Sequence, residues 1–177
     1  PAGLGPDRQS RSDQMVNIPI RSTITLTPGV ERIDIHSRVE NCARDHRLRV
    51  HFPTPFYVEH AVYDGHFGFD RRLLGVPEFD RQTWVEDPRP EVPQRAFVHI
   101  AAQDSVAMHG AFTLANRGLP EIEALRAAQG VELALTLLRC VGWLSRDDYA
   151  TRRGNAGTTS ETPGAQMIGA WDFEYAF

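Results

Sequence analysis

The chain has 177 residues, 41% of them hydrophobic, with a formal net charge of −4 and a sequence pI near 6.0. Length and apolar share suffice for one domain with its own core, and the acidic balance argues against nucleic acid or an anionic membrane, since those partners are met by surplus basic charge. All 19 basic residues are arginine, which reads as a compositional habit of a GC-rich genome rather than as a device for phosphate. No stretch approaches the roughly 18 to 20 consecutive apolar residues that span a bilayer, and the start is not a basic region followed by an apolar core. A soluble, cytoplasmic chain is expected. Cys42 and Cys140 have no CxxC spacing and no partner cluster, so they read as two reduced structural cysteines.

The chain opens at Pro1 without a methionine and stops at Phe177 within an apolar alternation, so it reads as a fragment of a longer chain. Residues 1–16 suit a strap or linker, being rich in Arg, Ser, Asp, Gly and Pro. Residues 17–177 are expected to form one domain. From Ile18 the pattern has period two: Ile18, Ile20, Ile24 and Leu26 point one way and Arg21, Thr23, Thr25 and Thr27 the other, as in a half-buried strand. Thr27-Pro28-Gly29-Val30 places proline and glycine at the central positions of a type II turn. The return strand alternates too, with Ile33, Ile35 and Val39 inward and Arg32, Asp34, His36 and Arg38 outward. After a polar turn at Glu40 to Asp45 comes a third strand, with Leu48, Val50 and Phe52 in and Arg47, Arg49 and His51 out.

Gly and Pro then break the chain up to Pro93, with short strands expected around Tyr57 to Val62 and Phe67 to Arg71. Ala96 to Ala101, Val106 to Leu114 and Ala165 to Phe177 again read as strands, the last with Trp171, Phe173, Tyr175 and Phe177 on one face. Leu119 to Leu144 is the ambiguous segment, because its Leu, Ala and Glu content favours a helix. Gly130 in its middle, and the alternation of Val131, Leu133, Leu135, Leu137 and Arg139 against Glu132, Ala134 and Thr136, favour two strands.

Seven histidines raise a metal reading, but His46 with His51 and His60 with His66 lack the i,i+4 spacing that sets two imidazoles around one zinc. No GxSxG elbow or nucleophile, His and acid set is present. Asp147-Asp148, or Glu121 with Glu123, could be imagined as a glycosidase pair, yet the carboxyls of a retaining enzyme lie about 5 Å apart across the scissile bond and usually come from different elements. Adjacent acids in a turn are ordinarily solvated charge. Arg139 is the most informative residue by pattern, since a charge ending an apolar strand face needs a partner: an ion pair with Asp147 or Asp148, or a sugar hydroxyl or interdomain water.

Several stretches carry a resemblance. Leu135 to Asp148 (LTLLRCVGWLSRDD), Arg152 to Gly157 (RRGNAG), Glu161 to Gln166 (ETPGAQ), Val39 to Pro53 (VENCARDHRLRVHFP), Ala115 to Glu123 (ANRGLPEIE) and Pro1 to Ser12 together resemble the C-terminal region of bacterial family 38 glycoside hydrolases, the α-mannosidase family. The resemblance implies an all-β fold, a large β-sandwich of the galactose-mutarotase-like supersandwich type. It implies that the parent is a retaining glycosidase acting on α-mannosides whose zinc and nucleophile sit in an N-terminal barrel, followed by a helical bundle, both outside this chain. By itself the chain is then expected to hold no catalytic residue and no metal, and to be inactive. Its partners would be that barrel and bundle, and through the parent enzyme an α-mannoside; a homo-oligomer stays open. Family sandwich domains lend the pocket rim an arginine at a strand end ahead of an Asp-Asp turn, which implies substrate-binding roles for Arg139, Asp147 and Asp148; Cys140-Val-Gly-Trp143 departs from the basic residue that often follows that arginine.

The competing expectation is a free-standing carbohydrate-binding β-sandwich. It would need Trp84, Trp143, Trp171 and Tyr175 to form an exposed stacking platform, whereas Trp171 is in phase with the core residues Phe173 and Tyr175.

Overall fold

The computed structural model describes the chain apart from residues 1, 6, 8, 9 and 103–109. Its strands are β1 (Ala2–Leu4), β2 (Arg11–Met15), β3 (Ile20–Leu26), β4 (Ile33–Asn41), β5 (Arg47–Thr54), β6 (His60–Asp64), β7 (Phe69–Leu73), β8 (Glu91–Pro93), β9 (Phe97–Ala102), β10 (Gly110–Asn116), β11 (Glu121–Ala127), β12 (Gly130–Arg139) and β13 (Gly169–Ala176), with one short 3-10 turn at Pro163–Gln166. They form a seven-stranded sheet in the order β3-β4-β13-β10-β9-β6-β7, a four-stranded sheet β5-β12-β11-β8, and the hairpin β1-β2.

The two larger sheets make an all-β sandwich whose core comes from both inner faces. Ile35, Val39, Phe173 and Tyr175 come from the larger sheet, and Phe52, Leu133 and Leu135 from the smaller. Phe52 of β5 reaches across to Tyr175 and Phe177, with ring centroids 6.0 and 5.6 Å away and both contacts edge-on, a geometry that favours the ring quadrupoles.

The expected turn is present: Gly29 has φ 79° and the Val30 N–H donates to the Thr27 carbonyl at 3.1 Å. The alternation of β4 holds, with Ile35, Ser37, Val39 and Asn41 buried. Ser37 is a polar residue inside this face. Its hydroxyl lies 2.7 Å from both the Tyr175 hydroxyl and Ser22 Oγ, and a buried hydroxyl keeps its place only when bonded in this way. Tyr175→Phe removes one of the two partners without opening a cavity, so the stability read from urea unfolding should fall by about 1 kcal/mol with an unchanged m-value.

Residues 119–144 contain β11 and β12, joined by a two-residue turn, and Val131, Leu133, Leu135 and Leu137 are buried. Strand pairing and burial outweigh helix propensity here.

Several expectations are corrected. Ile20, Ile24 and Leu26 are 51%, 69% and 72% exposed, although the register sets Ile20 beside Val39 and Ile24 beside Ile35. β3 is an edge strand of the seven-stranded sheet, and the four-stranded sheet is too narrow to cover it. The N-terminal strap contains the β1-β2 hairpin. The closing strand starts at Gly169 rather than Ala165, because the 3-10 turn and Met167, at φ 50°, come first. β6 and β7 begin at His60 and Phe69, later than expected, and β8 was not foreseen. Of the expected strand Val106 to Leu114, residues 106–109 lie outside the described residues, and Gly110 onward is β10.

Arg139 is also on the other face from the one expected. The β5-β12 register shifts between Thr136 and Leu138, so Leu137 is an extra residue and the alternation reverses beyond it. Arg139 then pairs with Arg47, on the side of Thr136 and Arg49, away from the core. Bulges re-aim side chains in this way.

Candidate functional site

The β4-β5 connection is the frame of the site. Asp45 takes a positive φ of 54°, which aspartate tolerates better than most residues. A reciprocal clamp holds it: its N–H donates to Gln166 Oε1 at 2.8 Å, and Gln166 Nε2 donates to Asp45 Oδ1 at 2.7 Å. Asn41, 2% exposed, fixes the other side by donating to the carbonyls of Gln166 and Met167 at 3.0 and 2.8 Å and accepting from the Ala43 N–H at 3.1 Å. The Cys140 N–H donates to the His46 carbonyl at 2.8 Å, tying the end of β12 to the same turn.

This frame borders an open cavity of about 650 Å³, lined also by Leu4, Gly5 and Arg11 of the β1-β2 hairpin and by residues between 141 and 166. Arg11, Arg44, Arg47, Arg89 and Arg139 line it, against the acids Asp45 and Glu161. The guanidinium groups differ in their engagement. Arg47 is bound by Glu91 and lies 3.6 Å from Glu121. Arg11 donates to the Asp45 carbonyl. Among the described residues Arg89 reaches only the Thr151 hydroxyl, at 3.3 Å. Among the described residues Arg44 and Arg139 have no side-chain hydrogen bond or ion pair.

His46 lines the cavity at 7% exposure. Burial pushes its pKa down, and the charge of Arg11 adds to that effect. The Arg44 backbone and the Asp45 charge act in the opposite sense without reversing the shift, and buried Nδ1 has no hydrogen-bond partner among the described residues. The net effect favours the neutral imidazole. Its Nε2 lies 3.8 Å from Cys140 Sγ, whose thiol burial pushes up. A thiol kept protonated and one imidazole do not make a zinc site, and no three His, Cys, Asp or Glu among the described residues converge as ligands.

From the cavity outward, the outer face of the four-stranded sheet carries the ion pairs of Arg47 with Glu91 and Arg49 with Glu123 and a hydrogen bond between His51 and Glu132, while the Thr136 hydroxyl donates to Glu121 at 2.7 Å. Glu121 and Glu123 are thus held by β5 arginines rather than facing each other across a substrate.

Of the three residues the sequence put forward, Arg139 lines the cavity and Asp147 and Asp148 do not. Arg139 pairs with neither acid. Asp148 instead receives Arg146, with Nε to Oδ1 at 2.7 Å and Nη2 to Oδ2 at 2.6 Å. That guanidinium in turn sits 4.8 Å from the ring centroid of Trp143, which lines the cavity. Asp147 is exposed. The sequence weighed His46 only as a metal ligand and offered no role for Arg11, Arg44 or Arg89; the charged run Arg44-Asp45-His46-Arg47 was the one local sign of the site. The aromatic platform does not form, since Tyr175 is buried and Arg146 sits against Trp143.

Comparison with known proteins agrees with this architecture. Residues 8–150 match the family described as the glycosyl hydrolases family 38 C-terminal domain. The chain is 31% identical over 167 residues to a putative mannosylglycerate hydrolase of Halalkalibacterium halodurans, covering 93% of this chain and 16% of that protein. The crystal structure of an alpha-mannosidase from Enterococcus faecalis V583 superposes with a TM-score of 0.74 at 32% identity, over 94% of this chain and 16% of that one. A second family 38 structure from Enterococcus faecalis gives a TM-score of 0.69 at 29% identity, with the same coverage. The chain thus spans about one sixth of the length of these relatives, and it belongs to the glycosyl hydrolase family 38 C-terminal domain family.

Proposed function

We propose that this chain is the non-catalytic C-terminal sandwich of a retaining α-mannosidase-type hydrolase, packing on the catalytic barrel and lending Arg139 to the sugar pocket. The observation that carries this reading is Arg139 itself: a guanidinium without a partner among the described residues, turned by the β12 bulge toward a cavity at the strand end. A charge so placed is available to a sugar hydroxyl. The relatives' names supply the substrate class, an α-mannoside.

Zinc, as the Lewis acid that would grip sugar hydroxyls in this reading, is assigned to the remainder of the parent enzyme, and no three His, Cys, Asp or Glu among the described residues here would hold it. The contribution of this chain is binding and orientation. Arg139 donates to a substrate oxygen. Asp148 acts as a positioning residue, fixing Arg146 against Trp143 and so the wall of the cavity.

In the full-length parent enzyme, Arg139→Ala should lower kcat/KM ten- to hundredfold on an aryl α-mannoside, the equivalent of losing about 1.5 to 3 kcal/mol of charge-assisted hydrogen bonding. The melting temperature should not move, since no buried acid depends on Arg139. Normal kinetics with a melting point several degrees lower would reject the role.

A further inference from the structure

We propose that β3 is the docking edge for a second copy of this chain: two β3 strands pair antiparallel about a two-fold axis and join two seven-stranded sheets into one continuous sheet. The inference stands on the backbone and side chains of β3 and does not depend on the sugar chemistry proposed above.

The two larger sheets end in the edge strands β3, β7, β5 and β8. Three of these carry the devices that keep an open edge from pairing. β7 sets Asp70, Arg71 and Arg72 among its five residues, β8 is three residues long and ends in Pro93, and β5 carries Arg47, Arg49 and Pro53. β3 differs. It is seven residues long with Arg21 as its single charge, and it has neither a proline nor a register shift against β4. Its apolar side chains are open as well, Ile24 at 69% and Leu26 at 72% exposure. A long, regular edge with so little charge is a template for another strand.

Backbone direction and side-chain order select a second β3 as that strand. The Glu40 N–H donates to the Pro19 carbonyl at 3.0 Å, and the β3-β4 register then runs unbroken from Ile20 opposite Val39 to Leu26 opposite Ile33. Hydrogen-bonded and non-hydrogen-bonded pairs alternate along an antiparallel ladder. Arg21, Thr23 and Thr25 therefore turn their backbone groups toward β4, and Ile20, Ser22, Ile24 and Leu26 turn theirs to the free edge. A two-fold axis at Thr23 sets Ile20 against Leu26 of the second copy and Ser22 against its Ile24, so that residues with free backbone groups meet one another and each pair exchanges two hydrogen bonds. The same register suits the side chains. Ile20 meets Leu26 on the apolar face, a cross-strand pair that stabilises a sheet, and on the other face Arg21 lies opposite Thr25, so no like charges are opposed.

The test is sedimentation equilibrium of the full-length parent enzyme, together with a cysteine placed on the axis. The parent should sediment as a dimer, and Ile24→Lys, at an exposed side chain, should weaken that dimer roughly tenfold or more by bringing an unpaired charge into the ladder. Thr23 faces its own copy in a non-hydrogen-bonded pair, with Cα atoms about 4.5 Å apart and within the reach of a disulfide. Thr23→Cys should therefore yield a covalent dimer when treated with oxidised glutathione, whereas Thr25→Cys, opposite Arg21, should not rise above the wild-type background. A parent that stays monomeric up to roughly 100 μM would overturn the proposal, and slow amide exchange at Ile20, Ser22 and Ile24 in that monomer would identify the rest of the parent chain as the occupant of the edge instead. A dimer that tolerates Ile24→Lys and is not linked through Thr23→Cys would overturn it too, by placing the contact elsewhere. The proposed activity fails separately: an enzyme that dimerises through β3 yet hydrolyses no α-mannoside would leave this interface standing.

Discussion

Gly130→Ala should destabilise the chain by about 4 kcal/mol, combining backbone strain with an overlap that cannot relax. Gly130 opens β12 at φ 129°, a conformation that L side chains rarely adopt. A Cβ there would lie 2.3 Å from the Thr54 carbonyl oxygen, 2.9 Å from the Pro55 carbonyl carbon and 3.0 Å from the Phe56 nitrogen. All three are backbone atoms at the end of β5, so relief means parting the two strands that share the smaller sheet's longest pairing. Gly29→Ala is the control. It has φ 79° but nothing within 4 Å of its Cβ position, so it should cost only the left-handed penalty of about 1 to 2 kcal/mol. In urea the Gly130 variant should unfold at a midpoint lower by about 1.5 M, given an m-value near 2 to 3 kcal/mol/M. Equal losses at the two glycines would mean that the close approach to β5 contributes nothing.

The same stretch shows how far the sequence could be read. Val131, Leu133 and Leu135 announce a strand because period two is a local property, and Gly130 announces its start because a helix tolerates glycine poorly there. The bulge at Leu137 left no such mark. Every residue from Leu133 to Leu138 is buried, so an inserted residue changes no polar position until Arg139, which then emerges on the other face. Burial of β3 was misjudged for a different reason: alternation shows that a strand has an apolar face, while the width of the opposing sheet decides whether that face is covered. The cavity was the least legible feature. Arg11, Arg44, Arg89 and Arg139 are far apart in the chain, and only the topology that sets the β4-β5 turn beside the end of β12 and residues 141–166 brings them together. β8, three residues long and ending in Pro93, is below what any periodicity can signal.

Arg47→Met should cost about 3 kcal/mol at neutral pH, because it keeps the aliphatic cover of the long side chain but leaves a buried carboxylate without its cation. The Glu91 side chain is 12% exposed, and Oε2 has no hydrogen-bond partner, so Arg47 at Oε1 is its chief compensation. Burial alone would raise the Glu91 pKa; the bond from Arg47 outweighs it and holds the group below its ordinary value of 4.5. A carboxylate depressed on folding contributes stability that is present above its unfolded pKa and lost as pH falls through the lower folded value. In the variant the sign reverses. Burial acts without the bond, the folded pKa lies above the unfolded one, and the penalty at neutral pH is relieved as protonation neutralises Glu91. The stability difference between wild type and variant should therefore be largest near pH 7 and narrow steadily below about pH 5. Arg47→Met/Glu91→Gln should recover most of the loss at neutral pH, with Glu121, 3.6 Å from the Arg47 side chain, accounting for the remainder. A loss that is independent of pH and unchanged in the double variant would show that Arg47 acts through packing alone.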